Sequence, residues 1–173
     1  MKRAMLLLGL LAALVVTTTP ASAQMVYIQG GAGFPSSSAL NDAYKAGWNG
    51  GLGIGLPITQ NLEGVVRGSI DRFENDVVGA GNFVSYSATG NLKLNGPRMN
   101  NRVMPYALAG GGFYRLGVED AYESEFGLQF GAGLGFRTSP RSNLLIEPNY
   151  VLVLNEGDNT QYFPVRLGLS YSL

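Results

Sequence analysis

Histidine and cysteine are both absent from this 173-residue sequence. That removes the usual general base, the commonest metal ligand and every thiolate or disulfide. Catalysis would fall to a Ser–Lys or paired-carboxylate arrangement, and spacing marks no such pair. Glu119-Asp120 and Glu123 with Glu125 bring carboxylates close together but lack the ordered ligand loop that Ca²⁺ binding needs. Gly51-Leu-Gly-Ile-Gly55 and Gly131-Ala-Gly-Leu-Gly135 look like phosphate loops, yet both lie inside alternating segments and neither opens a helix. The sequence therefore predicts no catalytic residue, no cofactor and no metal site. What remains is Glu63, Arg67, Asp71, Arg115, Glu147 and Arg166, charges of both signs set singly among small residues. A charge withdrawn from water is costly unless an opposite charge meets it. These six are expected to neutralise one another inside an enclosed lumen.

A lumen needs walls, and the alternation supplies them. In residues 161–173, Phe163, Val165, Leu167, Leu169, Tyr171 and Leu173 share one parity, opposite Pro164, Arg166, Gly168, Ser170 and Ser172. That is a strand with an apolar face and a small, polar one. Seven more follow the same rule, at 26–34, 47–58, 62–73, 83–94, 103–116, 125–137 and 144–154. In 103–116, Tyr106, Leu108, Tyr114 and Leu116 are read as the apolar face and Ala107, Ala109, Gly111 and Arg115 as its opposite. Pro148 cannot donate to a ladder and is read as a local bulge. Residues 117–124 are read as an acidic loop. An apolar terminal strand left open would aggregate, so the last strand is expected to pair with the first. The fold class is all-β: an eight-stranded antiparallel up-and-down barrel.

Alternation does not say which face is inside. The polar face is mostly Gly, Ser, Ala and Asn, and the chain holds 25 glycines. Small side chains suit a narrow lumen and serve no purpose on a water-facing sheet. Aromatics gather near strand ends: Phe34, Trp48, Phe73, Phe83, Tyr114, Phe126 and Phe163 toward one rim, Tyr106, Phe136 and Tyr171 toward the other. Such girdles suit membrane interfaces, so a transmembrane barrel with its apolar face toward lipid is expected. The longer connections carry Asp42, Glu74, Asp76, Glu119, Asp120, Glu123, Glu156 and Asp158 against Lys45 alone, while the shorter turns carry Arg98, Arg102 and Arg141. The acidic loops are expected to face outward, either holding divalent cations against anionic headgroups or keeping the rim solvated.

The chain opens with Lys2 and Arg3, an apolar run over 4–16 and Ala21-Ser-Ala23. This pattern predicts a signal peptide over 1–23, cut between Ala23 and Gln24, and a barrel domain over 24–173. The whole chain has 12 basic and 12 acidic residues; without Lys2 and Arg3 the balance is −2, which offers nothing to nucleic acid.

The Gly-rich strand from Tyr27 to Phe34, the Pro105-Tyr106 strand leading into Gly110-Gly111-Gly112, and the terminal strand together resemble the small outer-membrane β-barrel proteins of the OmpA/OmpX type. The terminal strand also resembles the insertion signal read by the outer-membrane assembly machinery, with Arg166, Gly168, Tyr171 and Leu173 in the matching positions. Leu173 departs from it, because an aromatic is commonest there. Some barrels of this kind are enzymes acting on lipid A, and the resemblance implies a His-dependent site for those, which a chain without histidine does not contain. The expected protein is a multi-pass, monomeric, non-enzymatic barrel in the outer membrane of a Gram-negative-type bacterium. Its expected partners are outer-membrane lipids and, during insertion, the assembly machinery, and its role is structural or one of surface interaction. The alternatives are a narrow pore for small solutes or ions and a secreted soluble barrel binding an apolar ligand.

Overall fold

Each strand of the chain hydrogen-bonds to the next, and the last bonds to the first. The computed structural model describes residues 24–41, 43–75, 81–118, 121–155 and 158–173; the expected leader over 1–23 lies outside them. The strands are β1 (Met25–Pro35), β2 (Gly47–Pro57), β3 (Leu62–Phe73), β4 (Phe83–Asn95), β5 (Val103–Val118), β6 (Ala121–Arg137), β7 (Ser142–Leu154) and β8 (Thr160–Ser172). One helical turn, α1 (Ser38–Asn41), sits between β1 and β2. The seam runs in register from Met25 opposite Ser172 to Pro35 opposite Tyr162.

Following one pairing line around the wall, from Met25 through Gly55, Val65, Asn91, Gly110, Gln129, Val151 and Tyr162, returns to β1 at Pro35, ten residues further along. That stagger fixes how far the strands lean; for eight strands it corresponds to about 40° from the barrel axis.

Local chemistry sets the short turns. Thr59 Oγ1 accepts from the amides of Asn61 and Leu62 at 3.3 and 3.1 Å. Ser139 Oγ does the same for Arg141 and Ser142 at 3.2 and 3.1 Å. Between β4 and β5, Asn100 and Asn101 take φ of 49° and 59°, a left-handed conformation that asparagine tolerates well. At the other end β5 and β6 run on past the expected loop, with Leu116 opposite Glu123 and Val118 opposite Ala121. Residues 117–118 and 121–124 are thus strand, and Tyr122, opposite Gly117, continues the alternation. At Pro148 the β6–β7 ladder drops two pairs, but Gly131–Asn149 and Leu134–Ile146 keep one-for-one register on either side. No residue is inserted, so Pro148 interrupts the ladder without the expected bulge.

The faces sort as a barrel turned inside out relative to a soluble one. Ile28, Leu52, Leu92, Leu167 and Leu169 point outward and are each more than half exposed. Glu63, Arg67, Asp71, Lys93, Gln129, Glu147 and Arg166 point inward and are buried. β5 reverses the expected phase. Tyr106, Leu108, Tyr114 and Leu116 are buried in the lumen, while Ala107, Ala109 and Arg115 face outward. Phe73 is likewise inside. The outer aromatics near the long-loop end are therefore Phe34, Trp48, Tyr86, Phe126 and Phe163, with Tyr171 near the other rim.

Candidate functional site

The lumen is the candidate site, and it is filled in three layers. At the short-turn end, Tyr27, Val65, Tyr106, Leu108 and Leu145 form an apolar cluster with Met25 packed against it. Glu63 and Lys93 stand directly opposite each other on β3 and β4, and their side chains pair at 3.5 Å. Lys93 Nζ donates to Tyr27 Oη at 2.8 Å, and Tyr27 Oη donates to Glu63 Oε1 at 2.5 Å. The ammonium also lies 4.8 and 4.5 Å from the centroids of the Tyr27 and Tyr106 rings, so two aromatic faces help to hold it.

The middle layer is polar. Arg67 grips Glu147 with both terminal nitrogens, at 2.8 and 3.3 Å. Glu147 receives two further hydrogen bonds, from Tyr106 Oη at 2.9 Å and Asn149 Nδ2 at 3.0 Å. A bidentate guanidinium–carboxylate pair with the remaining lone pairs occupied is the geometry in which a buried ion pair can offset its desolvation. Arg166 is the cross-strand partner of Glu147, but its nearest carboxylate contact is Asp71 Oδ1 at 3.7 Å. Among the described residues its Nε and Nη1 have no direct partner, nor do the amide groups of Gln29 and Asn49.

Above this lies a second apolar cluster of Phe73, Tyr114, Leu116, Val151, Val153 and Tyr162. The Phe73 and Tyr162 rings meet edge-on at 5.3 Å. Tyr162 Oη donates to Asp71 Oδ2 at 3.5 Å and lies 3.2 Å from Ser85 Oγ. Leu116 of this cluster helps line a cavity of about 360 Å³ at the mouth, together with Phe83, Glu123, Glu125, Asn155 and Thr160 among others.

Glycines on neighbouring strands make this packing possible. A Cβ at Gly55 would collide with Glu63 Oε1 and the Tyr27 ring, and one at Gly127 would come within 2.7 Å of the Tyr114 ring. The large lumen side chains therefore rest on strand positions that have no side chain.

The structure places Glu63, Arg67, Asp71, Glu147 and Arg166 in the lumen and corrects the expected lumen position of Arg115. That residue projects from the outer wall, its guanidinium 5.0 Å from the centroid of the Tyr122 ring. Lys93, on the polar face of its strand, completes the lumen network in place of Arg115 by pairing with Glu63. The signal for Lys93 was present in its parity with Asn91 and Thr89, both inward and buried. In the expected assembly signal, Arg166 and Gly168 point inward, whereas Tyr171 and Leu173 point outward and are about half exposed, at 48% and 50%. Of the expected cleavage pair, Ala23 lies outside the described residues, and the Gln24 carbonyl accepts from the Leu173 amide at 3.0 Å. Of the acidic rim, Glu74, Glu123 and Asp158 are exposed, and Asp42, Asp76, Glu119, Asp120 and Glu156 lie outside the described residues. Among the described residues no cluster of carboxylates could hold a metal ion.

Residues 7–172 match the family described as the outer membrane protein beta-barrel domain. Among solved structures, Neisserial surface protein A superposes with a TM-score of 0.72 at 18% identity, covering 88% of this chain and 98% of the other. The outer membrane enzyme PagL superposes with a TM-score of 0.54 at 16% identity, over 86% of this chain and 99% of its own. The N-terminal barrel domain of OprF from Pseudomonas aeruginosa gives 0.56 at 15% identity, over 87% and 97%. No curated protein matches the chain significantly. At these identities the structural likeness concerns the fold.

Proposed function

We propose that this chain, which belongs to the outer membrane protein beta-barrel domain family, is a non-enzymatic barrel of a Gram-negative-type outer membrane that acts through its outer surface. The observation that carries this reading is the filled lumen. Two apolar clusters cap a layer of buried ion pairs, so the interior is occupied by the protein's own side chains. An eight-stranded wall encloses a space about wide enough for such filling and no wider. The exposed leucines and isoleucines of the wall suit lipid, and the acidic mouth suits contact with solutes or other surfaces outside the cell. The absence of histidine supports the non-enzymatic reading even though one structural neighbour is an enzyme. The terminal strand, with Arg166, Gly168, Tyr171 and Leu173, engages the assembly machinery, and the inserted barrel is a monomer.

Planar-bilayer recording tests the central claim. The expected result is a flat baseline under applied voltage; reproducible single-channel steps would overturn it in favour of a narrow pore. The pore reading rests on the loosely partnered middle layer around Gln29, Asn49 and Arg166. Carbonate extraction with heat-modifiable gel mobility tests the location, and release into the soluble fraction would overturn it. Outer-membrane lipids incubated with the refolded protein should keep their masses.

A further inference from the structure

The described outward positions of the eight strands carry two charged residues, and both are arginines: Arg72 on β3 and Arg115 on β5. Every other outward position is apolar, small or uncharged. Both arginines are exposed, and neither forms an ion pair with a described residue. Their height on the wall is informative. Arg72 is ten residues above Leu62, the first residue of β3. At ~3.3 Å per residue and ~40° of lean this is ~25 Å, the height of the apolar band of such barrels. The register agrees: Arg72 stands opposite Trp48 and Arg115 opposite Tyr86, two of the outer aromatics. The two arginines therefore lie at the long-loop interface, where apolar wall gives way to headgroups.

We infer that Arg72 and Arg115 form a lipid-headgroup site, gripping the phosphate groups of a phosphorylated lipid whose acyl chains lie against the wall of β2 to β6. Arg72 faces Val84 and Arg115 faces Tyr86, flanking β4 from either side. Two strand spacings and a two-residue offset put their Cα atoms about 12 Å apart, within joint reach of one headgroup. A guanidinium offers a planar fork that matches phosphate oxygens two at a time. Tyr122 stacks on Arg115 and lies 6.1 Å from the Tyr86 ring, which steadies the guanidinium on the outer surface. Below, Ile70, Ala88 and Phe113 offer an apolar track for the chains. The occupant is a lipid because an apolar wall continues directly beneath the charges; a soluble anion would have no use for it.

Native mass spectrometry of the refolded full-length barrel in neutral micelles tests this, with diphosphoryl lipid A and its fully dephosphorylated form as probes. Wild type should retain diphosphoryl lipid A and lose it on dephosphorylation. R72Q and R115Q should each weaken retention by at least about fivefold, and the double variant further. R72K/R115K should fall between wild type and the glutamine pair. R98Q/R141Q, in the short turns of the opposite rim, should bind as wild type does. Heat-modifiable mobility checks folding, and the single variants suffice if the double does not fold. Unchanged retention in R72Q/R115Q would overturn the inference, as would an equal loss in R98Q/R141Q or equal retention of the dephosphorylated lipid. Displacement by an equal concentration of inorganic phosphate would show a simple anion site instead, and would also overturn it.

Discussion

The Tyr106 ring occupies the space that a side chain at Gly133 would need. The two residues face each other across β5 and β6, and a Cβ on Gly133 would lie 2.5 Å from Tyr106 Oη and 2.7 Å from the Ile146 carbonyl oxygen. The ring can thus lie across the neighbouring strand and deliver its hydroxyl to Glu147. Where the lumen is this narrow, an absent side chain is what positions a functional one.

Gly133→Ala should therefore destabilise the barrel by about 1–3 kcal/mol through overpacking. Part of the effect should vanish in a Tyr106→Ala background, giving a coupling of about 0.5–3 kcal/mol in a double-mutant cycle. Urea unfolding in lipid vesicles measures both. Strict additivity would show that the two positions do not share this space.

Removing one member of the Arg67–Glu147 pair should cost more than removing both. Each residue is about 3% exposed or less, so Glu147→Ala or Arg67→Ala strands a buried charge, at about 3–5 kcal/mol. Arg67→Met with Glu147→Met should cost well under the sum of the single changes. Loss of the heat-resistant folded band at lower temperature reports the order, and a double variant no better than the worse single would refute it.

The lipid-facing assignment predicts a depth dependence. Leu167 lies halfway along β8 and is 55% exposed, and Leu94 lies at the short-turn end of β4 and is 57% exposed. Leu167→Arg should cost about 2–4 kcal/mol and Leu94→Arg about 0–1 kcal/mol, read by unfolding in vesicles. Equal costs would mean that the wall does not face a bilayer.

Tyr171 and Leu173 present a half-exposed outer face at the end of the chain. Leu173→Phe should raise the fraction of folded, heat-modifiable protein in cells, and Tyr171→Ala should lower it. The folded protein's urea midpoint should barely change for Leu173→Phe. A shift in stability without a shift in yield would place the effect in the barrel and not in its assembly.

Eight strands, their closure and the outward apolar face were legible because period-two alternation is strong wherever one face is uniformly small or polar. β5 does not meet that condition. Tyr106, Leu108, Tyr114 and Leu116 fill the two lumen clusters, so the larger apolar residues of β5 face inward and Ala107 and Ala109 face out. Assigning the more apolar face to lipid inverted this strand and carried Arg115 into the lumen with it. Residue type and parity point Glu63, Arg67, Asp71, Glu147 and Arg166 into the lumen, where the structure has them, and misplace Arg115. The pairings were not legible, because Arg67 and Glu147 lie on strands that are not neighbours and meet only across the lumen. Nothing in the sequence marked the cross-lumen reach of Tyr162 to Asp71.

The seam between β1 and β8 has a consequence for timing. Met25 pairs with Ser172, so the second edge of β1 stays uncovered until β8 has been made. A ribosome-bound fragment holding β1 to β7 has two raw edges and no smaller barrel to retreat to. Closure over so long a loop adds only modest entropy, but it cannot begin early. Closure of the barrel therefore follows the synthesis of β8, and the seven strands before it hold an open edge on either side until then.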